Sequence, residues 1–202
     1  MGVLYSPGLD GIIDAVTGIS DIERTEGGLA YRGYDIHKLV EQSSYEEVVF
    51  LLLYGRLPDT KEFERFSNEL SKHRELPDGL IRALRSAAYG AARPMDMLRN
   101  AIAFLGMVDP EARDLSREAL LRKSIMTIAK LPTAIAASYR LTQGEEPIHP
   151  VRQLTHTQNF LYMLSGYGPD EVAVSALDRM LVLYSECVTV QPFPRSMSGT
   201  KT

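Results

Sequence analysis

The sequence predicts a mainly helical fold, a stack of about eight helices with a small β-hairpin at its N-terminal end. Apolar residues recur at the three-and-four spacing of amphipathic helices along most of the chain after residue 36. Capping patterns, with Gly or Pro at the expected ends, mark where these helices begin and stop. Only residues 1–36 have strand character, because β-branched residues alternate there on both sides of a charged turn at 23–28.

Size and composition favour one globular domain without a polyanionic partner. The chain has 202 residues, enough to bury a sizeable core, and 45% of them are hydrophobic and 24% charged. The net charge of −4 and the lack of a dense Lys/Arg run predict no nucleic-acid partner. No signal peptide, transit peptide or 18-residue apolar span is apparent, and the single cysteine, Cys187, suits a reducing compartment. We therefore expect a cytoplasmic protein without a membrane segment.

The first helices are predicted from their ends. Ser43 with Glu46 and Ser44 with Glu47 are overlapping capping-box candidates for a short buried helix that ends at Gly55. Four more helices are predicted after it: an amphipathic surface helix, two neighbouring helices, and one long helix that is kinked near Pro132 and ended by Gly144. Their predicted starts are Asp59 or Thr60, Asp78, Pro94 and about Leu115.

Two helices are predicted near the C-terminal end. Thr155 and Gln158 form a capping box, which puts His156 in the first turn of a helix that ends at Gly166. Asp170 caps the last helix, whose apolar residues predict a core face and the most buried helix of the chain. These residues are Ala173, Ala176, Leu177, Met180, Leu181 and Tyr184.

Sequence motifs point to no standard catalytic or metal site. The four histidines His37, His73, His149 and His156 show no ligand-like pairing with each other or with the cysteine, so we expect no metal. No phosphate-binding glycine fingerprint is present. Composition leaves a Ser-His-Asp or Cys-His arrangement open, but the chain has no G-x-S-x-G elbow.

His156 and Cys187 each allow two interpretations. The positive end of the helix dipole disfavours the imidazolium form of His156, and free backbone N–H groups there attract carboxylates, so this residue is a candidate ligand for an anionic substrate. The alternative is a polar helix-end residue bonded within its own turn. Cys187 is either inert packing or a nucleophile.

The segment GGLAYRGYDIHKLVEQSSYEEVVFLLLYGRLP at 27–58 resembles the citrate synthase family. Further similar segments, from about residue 8 to 186, are RPMDMLRNAIAFLG, AKLPTAIAASYRLTQGEEPIHP and THTQNFLYMLSGYGPDEVAVSALDRMLVLYSE. The resemblance implies the family's helical large domain, the acyltransferase reaction of acetyl-CoA with oxaloacetate to citrate and CoA, or the 2-methylcitrate reaction with propionyl-CoA. It also implies that His156 matches the oxaloacetate-binding histidine of an SHAANFL-like segment. A homodimer through helices 78–89, 94–107, 157–165 and 170–186 is implied as well.

The sequence departs from the family after residue 186. There the family has an HADHExNAST-like segment with a catalytic histidine, whereas this chain has Cys187 and an unrelated tail at 188–202. We therefore expect a hairpin arm at 1–36, a large-domain portion at 37–187 and no CoA-binding domain, so no catalytic residue and no tightly bound cofactor. The expected protein is an inactive truncated form, or a non-catalytic module for dimerisation or for binding a dicarboxylate such as oxaloacetate or citrate.

Overall fold

A computed structural model of the chain describes residues 18–22, 28–90 and 92–186. Eight helices and a small sheet form this described part, which confirms the mainly helical fold. In chain order the elements are β1 (Ser20–Ile22), β2 (Leu29–Tyr31), β3 (Tyr34–Asp35), α1 (Ile36–Gln42), α2 (Tyr45–Tyr54), α3 (Thr60–Lys72), α4 (Asp78–Tyr89), α5 (Pro94–Val108), α6 (Arg117–Thr142), α7 (His156–Ser165) and α8 (Glu171–Leu183). None of the helices within these ranges is long and apolar enough to cross a membrane.

The sheet contains the predicted hairpin and one more strand. β1, β2 and β3 pair in this order, and both pairs are antiparallel. Arg32 and Gly33 connect β2 to β3 with positive φ angles of 51° and 84°. A two-residue hairpin turn of the primed type needs positive φ at both positions, and glycine adopts it without a steric penalty. The remainder of the predicted arm, residues 1–17 and 23–27, lies outside the described residues.

Local capping fixes the start of several helices, as the sequence predicts. Ser44 and Glu47 form the capping box of α2, and Thr155 and Gln158 form that of α7. Of the two overlapping boxes predicted ahead of α2, the structure uses the second. Glu46 is therefore free to make a contact elsewhere in the fold.

The core consists of three apolar clusters, and the third shares α6 with the first and α2 with the second. One lies between α4, α5 and α6, a second joins the sheet to α1, α2 and α8, and the third joins α2, α3 and α6. Small buried residues let other helices approach α6 closely. These are Ala129, Ala134, Ala136 and Ala137. Residues of α6 belong to the first and third clusters, so this helix packs against α4 and α5 as well as α2 and α3. Pro132 lies inside α6, which is one uninterrupted helix.

The prediction that the last helix is the most buried one is wrong for this chain. Met180 and Tyr184 are 53% and 70% exposed, Ala173 and Ala176 are exposed too, and Val182 is the buried residue of α8. The helix packs against α1, α2 and α7 with its other side. A helix that is apolar all round needs cover on every side, and the described residues cover only one side of α8.

Candidate functional site

His156 is the first residue of α7, as predicted from the capping box. The N–H of Gln158 donates to Oγ1 of Thr155 at 3.2 Å, and the N–H of Thr155 donates to Oε1 of Gln158 at 3.0 Å. This reciprocal pair fixes where the helix begins. The side chain of His156 is therefore held at the end of α7 that faces α2.

The His156 ring is enclosed and neutral. The residue is only 4% exposed, and Nδ1 is buried without a hydrogen-bond partner. The Tyr45 ring lies against it, with a distance of 5.2 Å between ring centroids. Burial and, to a lesser extent, the charge of Arg74 lower the pKa of His156 to about 4. The helix-dipole argument predicts the same direction, but burial among other helices is the larger cause.

Glu46 occupies the helix end where the sequence suggests an anionic ligand. This residue is 5% exposed, and its Oε1 atom accepts the backbone N–H of His156 at 2.7 Å. Burial raises the pKa of Glu46, and the bond from His156 opposes that shift. The expectation that the backbone N–H of His156 is open to a substrate carboxylate is therefore wrong, because a carboxylate of the chain already accepts it. Nδ1 of the imidazole ring is the atom of His156 that is buried without a hydrogen-bond partner.

Arg74 fixes the loop that leads into α7. This buried residue follows α3, and its Nη1 atom donates to the carbonyl oxygens of Val151 and Leu154 at 2.8 and 2.9 Å. Burial lowers the pKa of Arg74, and the charge of Glu46 opposes this. An arginine side chain stays charged in proteins, so a buried cation lies close to both Glu46 and His156.

Three further hydrogen bonds surround the start of α7. Oγ1 of Thr157 donates to Oδ1 of Asp178 on α8 at 2.7 Å, and the N–H of Tyr45 donates to Oδ2 of the same carboxylate at 3.1 Å. Oδ1 of Asn159 accepts the N–H of Val151 at 2.7 Å. Buried hydrogen bonds between different helices favour one relative arrangement of the helices that carry them.

Sequence reasoning found His156 and missed the residues around it. Glu46, Arg74 and Asp178 are the charged members of the cluster, and none carries a local motif for this contact. The only available signal was that Glu46 belongs to the unused capping box. These contacts join residues far apart in the chain, so local patterns do not reveal them.

The other candidate residues do not join this site. His73 lies 2.9 Å from Glu69 on α3, and His149 lies 3.5 Å from Glu75. No group of three or more His, Cys, Asp or Glu residues suited to a metal ion occurs in the ranges that the structure describes. Cys187 lies outside those ranges, so both of its interpretations stay predictions.

The arrangement of helices is that of the citrate synthases. The crystal structure of citrate synthase from Pyrobaculum aerophilum matches with a TM-score of 0.85 and 36% sequence identity. The match covers 93% of this chain and 50% of that protein. The fold thus defines a helical protein of the citrate synthase class.

The chain belongs to the citrate synthase family, since the family model described as citrate synthase, C-terminal domain, matches residues 8–187. Citrate synthase of Haloferax volcanii is 39% identical over 182 residues, covering 89% of this chain and 48% of that protein. Citrate/2-methylcitrate synthase of Bacillus subtilis is 40% identical over 182 residues, covering 90% and 49%. The chain spans about half the length of these curated relatives.

Proposed function

We propose that this chain supplies the helical large-domain part of a citrate synthase-type acyltransferase, with His156 as its ligand for oxaloacetate. Residues 37–187 form that part, and the reaction joins acetyl-CoA to oxaloacetate and releases citrate and CoA. One observation carries the proposal: a chain of this family presents an enclosed, neutral imidazole at the start of α7. In this account acetyl-CoA is a substrate rather than a bound cofactor, and the protein acts in the cytoplasm.

A neutral imidazole can bind oxaloacetate through hydrogen bonds without carrying a charge. It offers one ring N–H donor and one acceptor nitrogen. Because the pKa of His156 is about 4, the ring stays neutral across the physiological range. A ring N–H in a dry environment can then orient an oxygen of oxaloacetate through a hydrogen bond while keeping its proton.

We also propose that the 202-residue chain does not catalyse the condensation alone. Removal of a proton from the methyl group of acetyl-CoA needs a positioned base and a donor for the developing enolate oxygen. The described carboxylates that contact the first turn of α7 belong to Glu46 and Asp178. Both accept hydrogen bonds that hold helices together, so neither is free to act as the base.

A thiol-release assay tests this proposal. Purified chain is mixed with acetyl-CoA and oxaloacetate, and free CoA is followed with a thiol reagent. We expect release at the background rate, and clear turnover would overturn the proposal of an inactive chain. Because one relative is a citrate/2-methylcitrate synthase, the assay is repeated with propionyl-CoA. One methylene changes pocket discrimination by about 1 to 3 kcal/mol, so any turnover would show the preferred acyl group.

The exposed apolar side of α8 supports a second role, that of a homodimerisation module. Three large apolar residues on α8 or at its end have more than half of their surface exposed: Val172, Met180 and Tyr184. Met95 on α5 is also more than half exposed. Large exposed apolar residues grouped on helices mark interaction surfaces. A second copy of the chain, packed through the helices that the family resemblance implies, would bury them.

Light scattering after size-exclusion chromatography tests the dimer. We expect twice the 22.5 kDa mass of one chain. Met180→Glu puts a charge in the apolar surface and should shift the population toward the monomer. Glu118→Gln on the exposed side of α6 is the control, and it should leave the mass unchanged. A wild-type protein that stays monomeric at high concentration would exclude this role.

A further inference from the structure

We propose that Glu46 and Arg74 are positioning residues that set the direction of the His156 imidazole by holding the backbone at and just before the start of α7. The inference rests on the proposed role of His156 and extends it to residues of α2 and of the α3–α4 connection. Neither residue contacts the ring through a hydrogen bond of its own. Both act through the backbone that carries the ring.

Glu46 holds the residue itself. The hydrogen bond from the His156 N–H to Oε1 of Glu46 is short, 2.7 Å, and both residues are buried. A carboxylate at a helix N-terminus makes a charge-assisted bond and is stabilised by the helix dipole. Since the donor is the backbone nitrogen of His156, this bond fixes the Cα–Cβ direction from which the imidazole extends.

Arg74 holds the segment just before the helix. One guanidinium nitrogen donates to the carbonyl oxygens of Val151 and Leu154, at positions five and two residues before His156. Two hydrogen bonds from one rigid, buried group fix the position of this segment relative to α7. The entry into the helix is thereby fixed at two backbone positions that Glu46 does not contact.

The other polar contacts of α7 do not hold the His156 backbone as those of Glu46 and Arg74 do. The Thr155 capping box starts the helix, and the contact of Thr157 with Asp178 joins it to α8. Either contact stabilises α7 as a rigid element. Among the described contacts, the bond to Glu46 is the one made by the backbone of His156 to another element of the fold.

The experiment reads the imidazole directly. The chain is labelled with ¹⁵N-histidine, and the ring resonances of His156 are followed by NMR in the wild type and in variants. Glu46→Gln keeps an acceptor oxygen for the N–H of His156, so the ring resonances should stay near their wild-type positions. Glu46→Ala removes the acceptor, so we expect shifted and broadened ring resonances and oxaloacetate binding weakened about tenfold.

Glu47→Ala is the matched control. It removes a carboxylate from the same turn of α2 and breaks only the capping box with Ser44, so the His156 ring should not respond. If Glu46→Ala does not fold, Glu46→Asp replaces it, because its shorter side chain keeps the charge but moves the acceptor away. A folded Ala or Asp variant with wild-type ring resonances would overturn the role of Glu46.

Arg74→Met tests the other half of the inference. It removes both bonds to the loop, so the ring resonances of His156 should shift and amide exchange at residues 151–154 should quicken. The pKa of His156 should rise as well, because the nearby cation that lowers it is gone. Unchanged ring resonances would overturn the role of Arg74. The ring resonances, the amide exchange and the pKa of His156 are measured without ligand, so a wild type that fails to bind oxaloacetate would count against the proposed function alone.

Discussion

Acidification should lower the free energy of unfolding, because His156 is buried in its neutral form. The folded state holds the pKa of this imidazole at about 4, against an ordinary value of 6.5. Between these values the unfolded chain binds a proton that the folded chain does not, so stability falls as the pH falls through this window. Each pKa unit corresponds to about 1.4 kcal/mol. The free energy of unfolding should therefore lose about 2 kcal/mol by pH 5 and about 3 kcal/mol by pH 4.

Glu46 changes the free energy of unfolding in the opposite direction over part of this pH range. Its pKa is raised in the folded state, so the folded chain keeps this proton to higher pH than the unfolded chain does. Stability from that group is gained as the pH falls toward 4.5 and is lost as the pH rises through the folded pKa. A single pH profile of the wild type therefore mixes the two effects, and a difference between variants is needed to separate them.

Urea unfolding at several pH values isolates the His156 term. The wild type is compared with His156→Gln, which retains Glu46 but has no titrating ring. The difference in unfolding free energy should change by about 3 kcal/mol between pH 7 and pH 4, as worked out above. His149→Gln is the control, because it removes an imidazole that is 91% exposed. Parallel profiles for the wild type and His156→Gln would refute the argument that burial keeps this ring neutral.

Two further predictions concern the core and one helix crossing. Leu84→Ala empties a fully buried position between α4, α5 and α6 and should cost about 2 to 5 kcal/mol in urea unfolding, whereas exposed Leu115→Ala should stay within about 0.5 kcal/mol. Equal effects would contradict the assigned core. Gly79→Ala places a methyl group 2.8 Å from Cζ of Phe104 and should lower stability by about 1 to 3 kcal/mol, while Gly106→Ala meets no atom within 4 Å and should be neutral or stabilising. If Gly106→Ala lowered stability more than Gly79→Ala, α4 and α5 would not cross this closely.

Local chemistry explains why part of this fold was predictable. A capping box involves residues three apart, so Thr155 and Gln158 reveal the start of α7 without any knowledge of its neighbours. Glycines with positive φ end α2 and α7 at Gly55 and Gly166 for the same reason. The placement of His156 at a helix start follows directly.

Contacts between distant segments account for what was missed. The bond between Glu46 and His156 spans 110 residues of sequence, and its donor is a backbone group that every residue except proline has. Periodicity shows that α8 has an apolar face, but it does not show what covers that face. Met180 and Tyr184 are therefore exposed here although their spacing is that of core residues.

An oxaloacetate titration of histidine-labelled chain tests the central claim most directly. The four imidazoles His37, His73, His149 and His156 give separate ring signals at one pH. We expect a saturable shift of the His156 signal alone, which His156→Gln abolishes together with the heat of binding in calorimetry. A His156 signal that stays fixed up to saturating oxaloacetate, or binding that survives His156→Gln, would contradict the assignment of this imidazole as the substrate ligand.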